Sequence, residues 1–332
     1  MVITEKKCAV IGYGSWATAI VKILSENNTP IYWHILNDEV AESIQTTKHN
    51  CKYLRDTELD TSNIKITSDI NQAIGDAQYV ILAMPSAFMK SILQPLNVSL
   101  ADKYIISAIK GIVPDDYTSV SEYLAEHYDA TPSMIGIITG PTHAEEVAMS
   151  RLSYLTVAFP SMSTAEHIGT MFQRPYININ YSEDVIATEY AAIVKNIYAL
   201  SVGLATGLGY GDNFVSVLIA NCAAEMKLFI NNISPKNDRL CSSAFLGDLL
   251  VTCYSTYSRN RRLGLLIGRG CTVKSAMNEM TMVAEGYYAA KCIKYSQLRK
   301  GVTLPIADMV YDILYNGASA RQSMRKLSSI LQ

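Results

Sequence analysis

Residues 8–17 read CAVIGYGSWA, and this stretch decides the fold of the first half of the chain. The apolar run Cys8–Ile11 predicts a buried strand, and a helical pattern follows from Trp16 to Glu26. Between them, Gly12, Gly14 and Ala17 make a GxGxxA loop, a form of the dinucleotide-binding fingerprint. Gly12 permits the tight turn, Gly14 lets a pyrophosphate approach the backbone, and Ala17 lets the helix pack close to the strand. Free N–H groups at the helix start favour the anion.

Further apolar runs follow along the first 180 residues. We predict strands at 31–35, 79–84, 104–108, 135–139 and 154–158, separated by polar or helical stretches such as 39–47. Apolar strands that alternate with helices predict a mostly parallel sheet covered on both faces. The expectation is therefore an α/β, doubly wound Rossmann-type domain that binds a dinucleotide and extends over residues 1–180.

Beyond residue 181 the strand-like runs give way to long helical patterns. They cover 184–206, 213–231, 242–254, 262–268, 284–299, 305–315 and 318–330. Start and stop signals accompany them, such as Pro305 as a first-turn residue and Asn316-Gly317 after the next helix. These patterns predict an all-α C-terminal domain, residues 181–332.

The composition is that of an ordinary globular protein, with 332 residues, 49% hydrophobic and 17% charged. A net charge of −2 gives no field that favours nucleic acid or an anionic membrane. Seven dispersed cysteines without a CxxC pair argue against a disulfide framework or a metal site and for a reducing compartment. The apolar start resembles a signal peptide, but glycines interrupt it, so we expect a soluble, cytoplasmic protein without an integral membrane segment.

The end of the second predicted strand is where NAD and NADP are usually distinguished, but here its sequence leaves the choice open. The strand ends as Trp33-His34-Ile35-Leu36-Asn37-Asp38. An acid here binds the adenosine ribose, whereas an arginine accepts a 2′-phosphate. These residues include no arginine, and the only acid, Asp38, is the last of them. His34 either accepts a phosphate or caps the sheet.

Residues 189–204, EYAAIVKNIYALSVGL, place Lys195 and Asn196 inside an apolar helical run. A buried ammonium is costly unless it is paired. One interpretation is that Lys195 lies at the rim and extends its amine to water. The other is that Lys195 faces a functional site between the two domains.

Other polar residues stand where ligands collect in this topology. Lys110 follows the predicted strand 104–108, and Gly140 and Thr142 follow the strand 135–139, at the carboxyl ends of the sheet. Each also has a structural interpretation, as a turn or as a helix cap. The cluster 258–262, SRNRR, suits a phosphate because a guanidinium offers paired donors. Asp248, among apolar neighbours, is a cap, a paired residue or the counter-charge of a buried lysine.

Taken together, these motifs resemble the bacterial-type NAD(P)-dependent sn-glycerol-3-phosphate dehydrogenases. The similarity runs from Val10 to about Leu327. It covers GYGSW at 12–16, Lys110-Gly111, GPTHAEE at 140–146, VKN at 194–196, GLGYG at 207–211, LGDLLVTC at 246–253, SRNRRLG at 258–264 and EGYY at 285–288. The resemblance implies interconversion of glycerol 3-phosphate and dihydroxyacetone phosphate with NAD or NADP, a role in phospholipid synthesis, and a homodimer that binds neither nucleic acid nor metal.

The resemblance also implies roles for individual residues. Lys195 would be the general acid and base, with Lys110 and Asp248 completing the catalytic set. The substrate would contact Lys110, Gly140, Thr142, Thr252, Ser258, Arg259 and Asn260, and the cofactor would contact Gly12, Gly14, Ser15, Trp16, His34, Lys110, Ala144, Arg259, Val283 and Glu285. The chain departs from the family pattern at Ala17, Arg55, Asn221 and Phe245. Two rival functions are another Rossmann–helical dehydrogenase of hydroxy acids or sugar acids, and a non-catalytic nucleotide sensor.

Overall fold

The computed structural model describes residues 7–235, 241–280, 282–296 and 301–332. The chain divides into two compact units. The sheet unit takes in the described residues up to Ile109 together with Val120–Val185. The helical unit takes in Lys110–Ser119 and the described residues from Ile186 onward. The short segment Lys110–Ser119, here called the arm, therefore leaves the sheet unit, joins the helical unit and returns.

One eight-stranded sheet forms the centre of the sheet unit, with the strand order β3-β2-β1-β4-β5-β6-β7-β8. The strands are β1 (Cys8–Ile11), β2 (Ile31–His34), β3 (Ile64–Thr67), β4 (Tyr79–Leu82), β5 (Tyr104–Ser107), β6 (Ile135–Thr139), β7 (Ser153–Ala158) and β8 (Ile177–Ser182). All neighbouring strands pair in parallel except β6 and β7. The mostly parallel, Rossmann-type sheet followed by helices confirms the predicted fold class.

Seven helices belong to the sheet unit. They are α1 (Ser15–Glu26), α2 (Asp38–Thr47), α3 (Ile70–Gly75), α4 (Met89–Leu93), α5 (Val120–His127), α6 (Ala144–Ala148) and α7 (Met162–Gly169). Asn37 and Asp69 cap α2 and α3 because their side chains accept from backbone N–H groups in the first turn. The apolar faces of β1, β2 and α1 make one core, in which Trp33 and Ile20 are fully buried.

Strands β3 and β8 were not predicted from the sequence, and each has a physical reason for lacking a clear strand pattern. In β3, Ile64-Lys65-Ile66-Thr67, no residue is fully buried, and this strand lies at one end of the sheet. In β8, Ile177–Ser182, asparagines alternate with apolar residues at the other end. Edge strands have one open side and keep polar residues, so their sequences lack a continuous apolar run.

The helical unit contains the arm and eight further helices among its described residues. They are α8 (Val185–Gly207), α9 (Asp212–Ile233), α10 (Asp248–Tyr254), α11 (Arg259–Gly268), α12 (Val273–Glu279), α13 (Glu285–Tyr295), α14 (Pro305–Tyr315) and α15 (Ala320–Ser328). A π-helical turn at Ser243–Gly247 leads directly into α10. The end of the predicted helix 284–299 lies outside the described residues. The short helix α12 was not predicted.

Glycines bring α8 and α11 into backbone contact. A Cβ atom at Gly203 would stand 2.0 Å from the carbonyl oxygen of Arg261, and one at Gly264 would stand 2.1 Å from that of Leu200. No side chain fits these distances, so both positions require glycine. This close packing sets the start of α11, at Arg259, against the middle of α8.

Helices α8 and α9 are long and apolar enough to cross a membrane when only length and composition are counted. In α8, however, 94% of the most apolar window is buried inside the protein, and in α9 the share is 44%. A core helix passes the same test, and α8 supplies Ile193, Ile197 and Leu200 to the core of the helical unit. The two helices are therefore weak evidence for a membrane span.

Candidate active site

The glycine loop follows β1 and is held by side chains that the sequence analysis did not identify. The indole N–H of Trp33 donates to the carbonyl oxygen of Gly12 at 2.7 Å. The side-chain nitrogen of Asn50 donates to the carbonyl oxygen of Tyr13 at 3.0 Å and to the hydroxyl of Thr18 at 2.9 Å. The sequence gives little indication of these contacts, because Trp33 is typical of a strand residue and Asn50 of a loop residue.

The loop has the geometry that a pyrophosphate requires. Gly12 has a φ of +115°, and a Cβ there would stand 2.6 Å from the carbonyl oxygen of Ala83, so only glycine fits. At Gly14 a Cβ would meet nothing within 4 Å, so the space beside the loop is open. Gly14 is the N-cap of α1 and makes no side-chain cap, with Ser15 and Trp16 in the first turn. The helix start therefore offers backbone N–H groups to an anion.

His34 ends β2 in the buried interior of the sheet unit, with 3% of its surface exposed. Burial is the largest influence on its pKa, which is lowered, although a hydrogen bond with the backbone of Ser68 and the charge of Asp69 act in the opposite direction. A neutral, buried imidazole is a poor partner for a phosphate. The arrangement favours the second of the two interpretations of His34, a residue that closes the strand.

The loop after β6 carries Gly140, Thr142 and Ala144. Gly140 has a φ of +133°, and a Cβ there would stand 2.4 Å from the carbonyl oxygen of Tyr154. The hydroxyl of Thr142 donates to the carbonyl oxygen of Gly140 at 3.2 Å, so it does not cap α6, whose N-cap is His143. Ala144 begins α6 and is 7% exposed. The tight turn leaves Thr142 and Ala144 close to the end of the strand.

Lys195 is buried in the middle of α8 and forms an ion pair with Asp248, the first residue of α10. The two side chains are 3% and 2% exposed. Lys110, at the start of the arm, is the second cation, with its Nζ 3.9 Å from Oδ2 of Asp248. Thr252 lies one turn after Asp248, and its hydroxyl donates to the Asp248 carbonyl oxygen at 2.5 Å. The helical unit thus gathers four of the predicted residues into one cluster, with two ammonium groups around one carboxylate.

The pKa of Lys195 is lowered to about 7, chiefly by burial, because a charged amine loses its hydration there. The ion pair with Asp248 opposes this shift, and the nearby ammonium of Lys110 contributes to it. The drop from 10.5 corresponds to about 5 kcal/mol of preference for the neutral amine, at 1.36 kcal/mol per pKa unit. An amine with this pKa takes up and releases a proton near neutral pH.

The start of α11 places Ser258, Arg259 and Asn260 in sequence. The hydroxyl of Ser258 is the N-cap of the helix and accepts from the N–H of Arg261 at 3.3 Å. The guanidinium of Arg259 donates to the carbonyl oxygen of Val283 at 3.4 Å. These contacts link α11 to the turn before α13, which begins at Glu285. Arg259, Val283 and Glu285, predicted from separate motifs, therefore belong to one region of the helical unit.

The sequence predicts no separate role for Asn196, yet its side chain joins three elements. Its side-chain nitrogen donates to the carbonyl oxygen of Lys110 at 2.8 Å, and its oxygen accepts from the side chain of Asn260 at 2.8 Å. Asn260 in turn accepts from the N–H of Gly286 at 2.8 Å. A Cβ at Gly286 would stand 2.6 Å from the carbonyl oxygen of Asn196, so α13 can approach only with glycine there. Part of the Asn260 amide is thus already used within the protein.

The fold and these two sets of residues define a class of protein. A Rossmann-type sheet with a glycine loop at a helix start binds a dinucleotide. A buried lysine with a pKa near neutrality, paired with a carboxylate, has the features of an acid–base catalyst. Among the described residues, no group of three or more His, Cys, Asp or Glu side chains is placed to hold a metal ion. The class is a dinucleotide-dependent dehydrogenase.

Comparisons with known proteins identify the family. The N-terminal and C-terminal profiles of the NAD-dependent glycerol-3-phosphate dehydrogenases match residues 7–165 and 184–325. A glycerol-3-phosphate dehydrogenase [NAD(P)+] of Macrococcus caseolyticus is 33% identical over 321 residues, which is 96% of each chain. One from Listeria innocua is 33% identical over 324 residues, 97% of this chain and 95% of that protein. The chain belongs to the NAD-dependent glycerol-3-phosphate dehydrogenase family, and it is an NAD(P)-dependent oxidoreductase.

Solved structures share the fold. The glycerol-3-phosphate dehydrogenase of Coxiella burnetii superimposes with a TM-score of 0.89 at 24% identity, over 97% of this chain and 98% of that one. The enzyme of Plasmodium falciparum gives a TM-score of 0.83 at 23% identity, over 96% and 94%. A D-mandelate dehydrogenase gives only 0.61 at 14% identity. The resemblance stated from the motifs is confirmed, and the rival functions are not favoured.

Proposed function

We propose that this protein interconverts sn-glycerol 3-phosphate and dihydroxyacetone phosphate, with Lys195 as the general acid and base. The observation that carries the proposal is the cluster in which Lys195, which is buried, and Lys110 share the carboxylate of Asp248. The pKa of about 7 leaves the Lys195 amine partly protonated and partly neutral at neutral pH. It is therefore able to serve both directions of the reaction.

In the reductive direction, the carbonyl carbon of dihydroxyacetone phosphate gains a hydride and its oxygen gains a proton. When NADH or NADPH is bound, its nicotinamide supplies the hydride. The ammonium of Lys195 donates the proton to the developing alkoxide. The product is glycerol 3-phosphate, and the neutral amine of Lys195 regains its proton from solvent. In the oxidative direction the neutral amine takes the proton of the hydroxyl group.

Asp248 and Lys110 support this proton transfer through charge. The carboxylate of Asp248 holds the Lys195 amine in place, and the Lys110 ammonium remains paired with the same carboxylate when Lys195 is neutral. When Lys195 is protonated, the two cations and one carboxylate of the cluster have a net positive charge, which attracts an anionic substrate. The hydroxyl of Thr252, one turn from Asp248, completes the part of the site that we assign to the reacting end.

Arg259 is the proposed ligand of the substrate phosphate, with Ser258 and Asn260 beside it. Its guanidinium carries several donors and makes a 3.4 Å hydrogen bond to Val283. The remaining donors suit the planar, paired geometry of phosphate recognition. Asn260 still has one unassigned N–H, so it is able to add one further bond to the phosphate. Gly140 and Thr142 are the proposed substrate contacts in the sheet unit.

The sheet unit provides the groups that fit an NAD(P) pyrophosphate. The open space at Gly14 and the uncapped start of α1 support binding through backbone N–H groups of Ser15 and Trp16. We assign the remaining cofactor contacts to Gly12, Lys110, Ala144, Arg259, Val283 and Glu285. His34 is left out of this set because a buried, neutral imidazole is a poor partner for a phosphate.

The test is oxidation of NADH and of NADPH by the purified protein with dihydroxyacetone phosphate, followed at 340 nm. We expect turnover in the wild type and a loss of about 10³-fold or more in Lys195→Met, because general acid–base catalysis alone contributes about 10²–10⁴-fold. Lys227→Met, at an exposed lysine of α9 in the same unit, is the control and should keep wild-type turnover. Near-normal turnover in Lys195→Met would overturn the assignment.

Three further properties are proposed on the basis of the family. We infer that the protein acts in the cytoplasm, that it supplies glycerol 3-phosphate for phospholipid synthesis, and that it forms a homodimer. A dimer has about twice the chain mass of 36.6 kDa, and light scattering after gel filtration measures it directly. Restoration of growth without added glycerol, in a bacterium that lacks its own enzyme, tests the metabolic role.

A further inference from the structure

Asn196 is buried, with 4% of its surface exposed, and both ends of its amide are used. The nitrogen donates to the carbonyl oxygen of Lys110 at 2.8 Å and to that of Ala192, in its own helix, at 3.2 Å. The oxygen accepts from the nitrogen of Asn260 at 2.8 Å. Of the two bonds that the nitrogen donates, the one to Lys110 leaves the helix, and it reaches the first residue of the arm.

The direction of this hydrogen-bond chain is fixed by the protein. The backbone N–H of Gly286 is only a donor, and it points to the oxygen of Asn260 at 2.8 Å. Asn260 must therefore present its nitrogen to Asn196, and Asn196 must present its own nitrogen to Lys110. Turning either amide would bring two donors together in a buried place, which is unfavourable because each would be left without an acceptor. The chain of Gly286, Asn260 and Asn196 is called the amide relay below.

The amide relay ends on the backbone of a residue whose side chain belongs to the active-site cluster. Beyond Lys110, the arm is anchored by Ile112 and Val113, which are fully buried, and by the ring of Tyr117, 5.7 Å from that of Tyr295. These anchors hold the far part of the arm. The bond from Asn196 fixes the backbone carbonyl group of Lys110 itself, and the side chain of the same residue extends from the adjacent Cα towards Asp248.

We propose that Asn196 is a positioning residue: by holding the Lys110 carbonyl, it sets the place of the Lys110 amine beside Asp248 and Lys195. The proposal rests on the proposed function, in which these three groups share the proton transfer. Without the bond, the arm pivots at its first residue and the Lys110 amine moves away from the cluster. A displacement of about 1 Å at a catalytic site lowers the rate by about 10²-fold.

Asn196→Ala tests the proposal, and a half-buried asparagine with similar bonds, Asn221, offers a control. Asn221 in α9 also donates to the carbonyl four residues earlier, that of Val217, at 2.9 Å, and to a distant carbonyl, that of Gln332, at 2.8 Å. We expect Asn196→Ala to lower kcat for dihydroxyacetone phosphate at least 10-fold, with about 10²-fold as the upper range. Asn221→Ala removes the same kinds of bond and should keep kcat within about twofold of the wild type, a change of about 0.4 kcal/mol.

A double-substitution cycle separates positioning from a general structural effect. Lys110→Ala removes the amine but keeps the backbone carbonyl, so the hydrogen bond from Asn196 remains. If Asn196 acts through the Lys110 amine, adding Asn196→Ala to Lys110→Ala changes kcat by less than about twofold. If the two effects multiply, as they do for independent sites, the proposal is wrong.

The pH profile gives a second readout that loss of structure alone does not predict. The charge of Lys110 lowers the pKa of Lys195, so a displaced Lys110 lets that pKa rise. Oxidation of glycerol 3-phosphate requires the neutral amine, so its rate falls on the acidic side of the pH–rate profile. This acidic limb should move to higher pH in Asn196→Ala and stay in place in Asn221→Ala. An unmoved limb in Asn196→Ala contradicts the proposal.

Failure of the proposed function and failure of the role of Asn196 give different results. If the wild type does not reduce dihydroxyacetone phosphate, the proposed function has failed. If the wild type is active but the cycle is multiplicative, only the role of Asn196 has failed. Should Asn196→Ala give no soluble protein, the cycle is repeated with Asn196→Ser, whose hydroxyl keeps the place polar but is too short to reach the Lys110 carbonyl.

Discussion

Replacement of Lys195 by methionine should change how stability depends on pH. The pKa of Lys195 is lowered from 10.5 to about 7 in the folded protein. Between these values the unfolded chain binds more protons than the folded protein, so the free energy of unfolding rises with pH. Below pH 7 the folded protein bears the full cost of the buried charge, about 5 kcal/mol, and above pH 10.5 that cost is absent.

The magnitude follows from the two pKa values. Between pH 7 and pH 9, the Lys195 amine should add about 2 kcal/mol to the free energy of unfolding of the wild type. Lys195→Met has no group that titrates there, and Asp248 keeps Lys110 as a partner at 3.9 Å. The difference in unfolding free energy between wild type and Lys195→Met should therefore shift by about 2 kcal/mol, in favour of the wild type, as the pH rises.

Urea unfolding at pH 7, 8 and 9 measures this difference. Both tryptophans, Trp16 and Trp33, lie in the sheet unit, so far-UV circular dichroism is the better probe of the helical unit. Lys227→Met, at an exposed lysine of α9, is the control and should keep the rise seen in the wild type. If Lys195→Met shows the same rise as the wild type, the amine is not buried in the way described, and its role as a near-neutral acid and base loses its support.

Three other predictions concern the cofactor loop, the carboxylate and the phosphate ligand. Gly12→Ala forces a Cβ to 2.6 Å from the carbonyl oxygen of Ala83 at a left-handed φ, so NADH affinity in a fluorescence titration should fall about 10-fold or more and stability by about 1–3 kcal/mol. Asp248→Asn leaves Lys195 without its carboxylate and should destabilise the protein by about 3 kcal/mol in urea unfolding. The same change lowers the pKa of Lys195 further, so dihydroxyacetone phosphate reduction should slow most above pH 7. Arg259→Lys loses paired donors and should raise the KM for dihydroxyacetone phosphate about 10-fold with a smaller change in kcat, and an unchanged KM would remove Arg259 from the phosphate site.

The dinucleotide loop and the class of fold could be predicted from local sequence patterns alone. Cys8–Ile11 and the GxGxxA loop are adjacent in the chain, and their roles depend on backbone freedom and on a local change from strand to helix. Such features need no distant contact, so they can be recognised without the structure. The buried lysine was also visible, because Lys195 interrupts an apolar run that nothing local explains.

Only the tertiary structure decided how these residues are combined. Lys110 follows a strand of the sheet in sequence, yet it belongs to the helical unit, and Ile112 just after it packs in the core of that unit. The partner of Lys195 is 53 positions away at Asp248, and the amide of Asn260 is shared with Asn196 from another helix. Burial, ion pairing and buried hydrogen bonds depend on which elements pack together, and a pattern of neighbours along the chain does not contain that information.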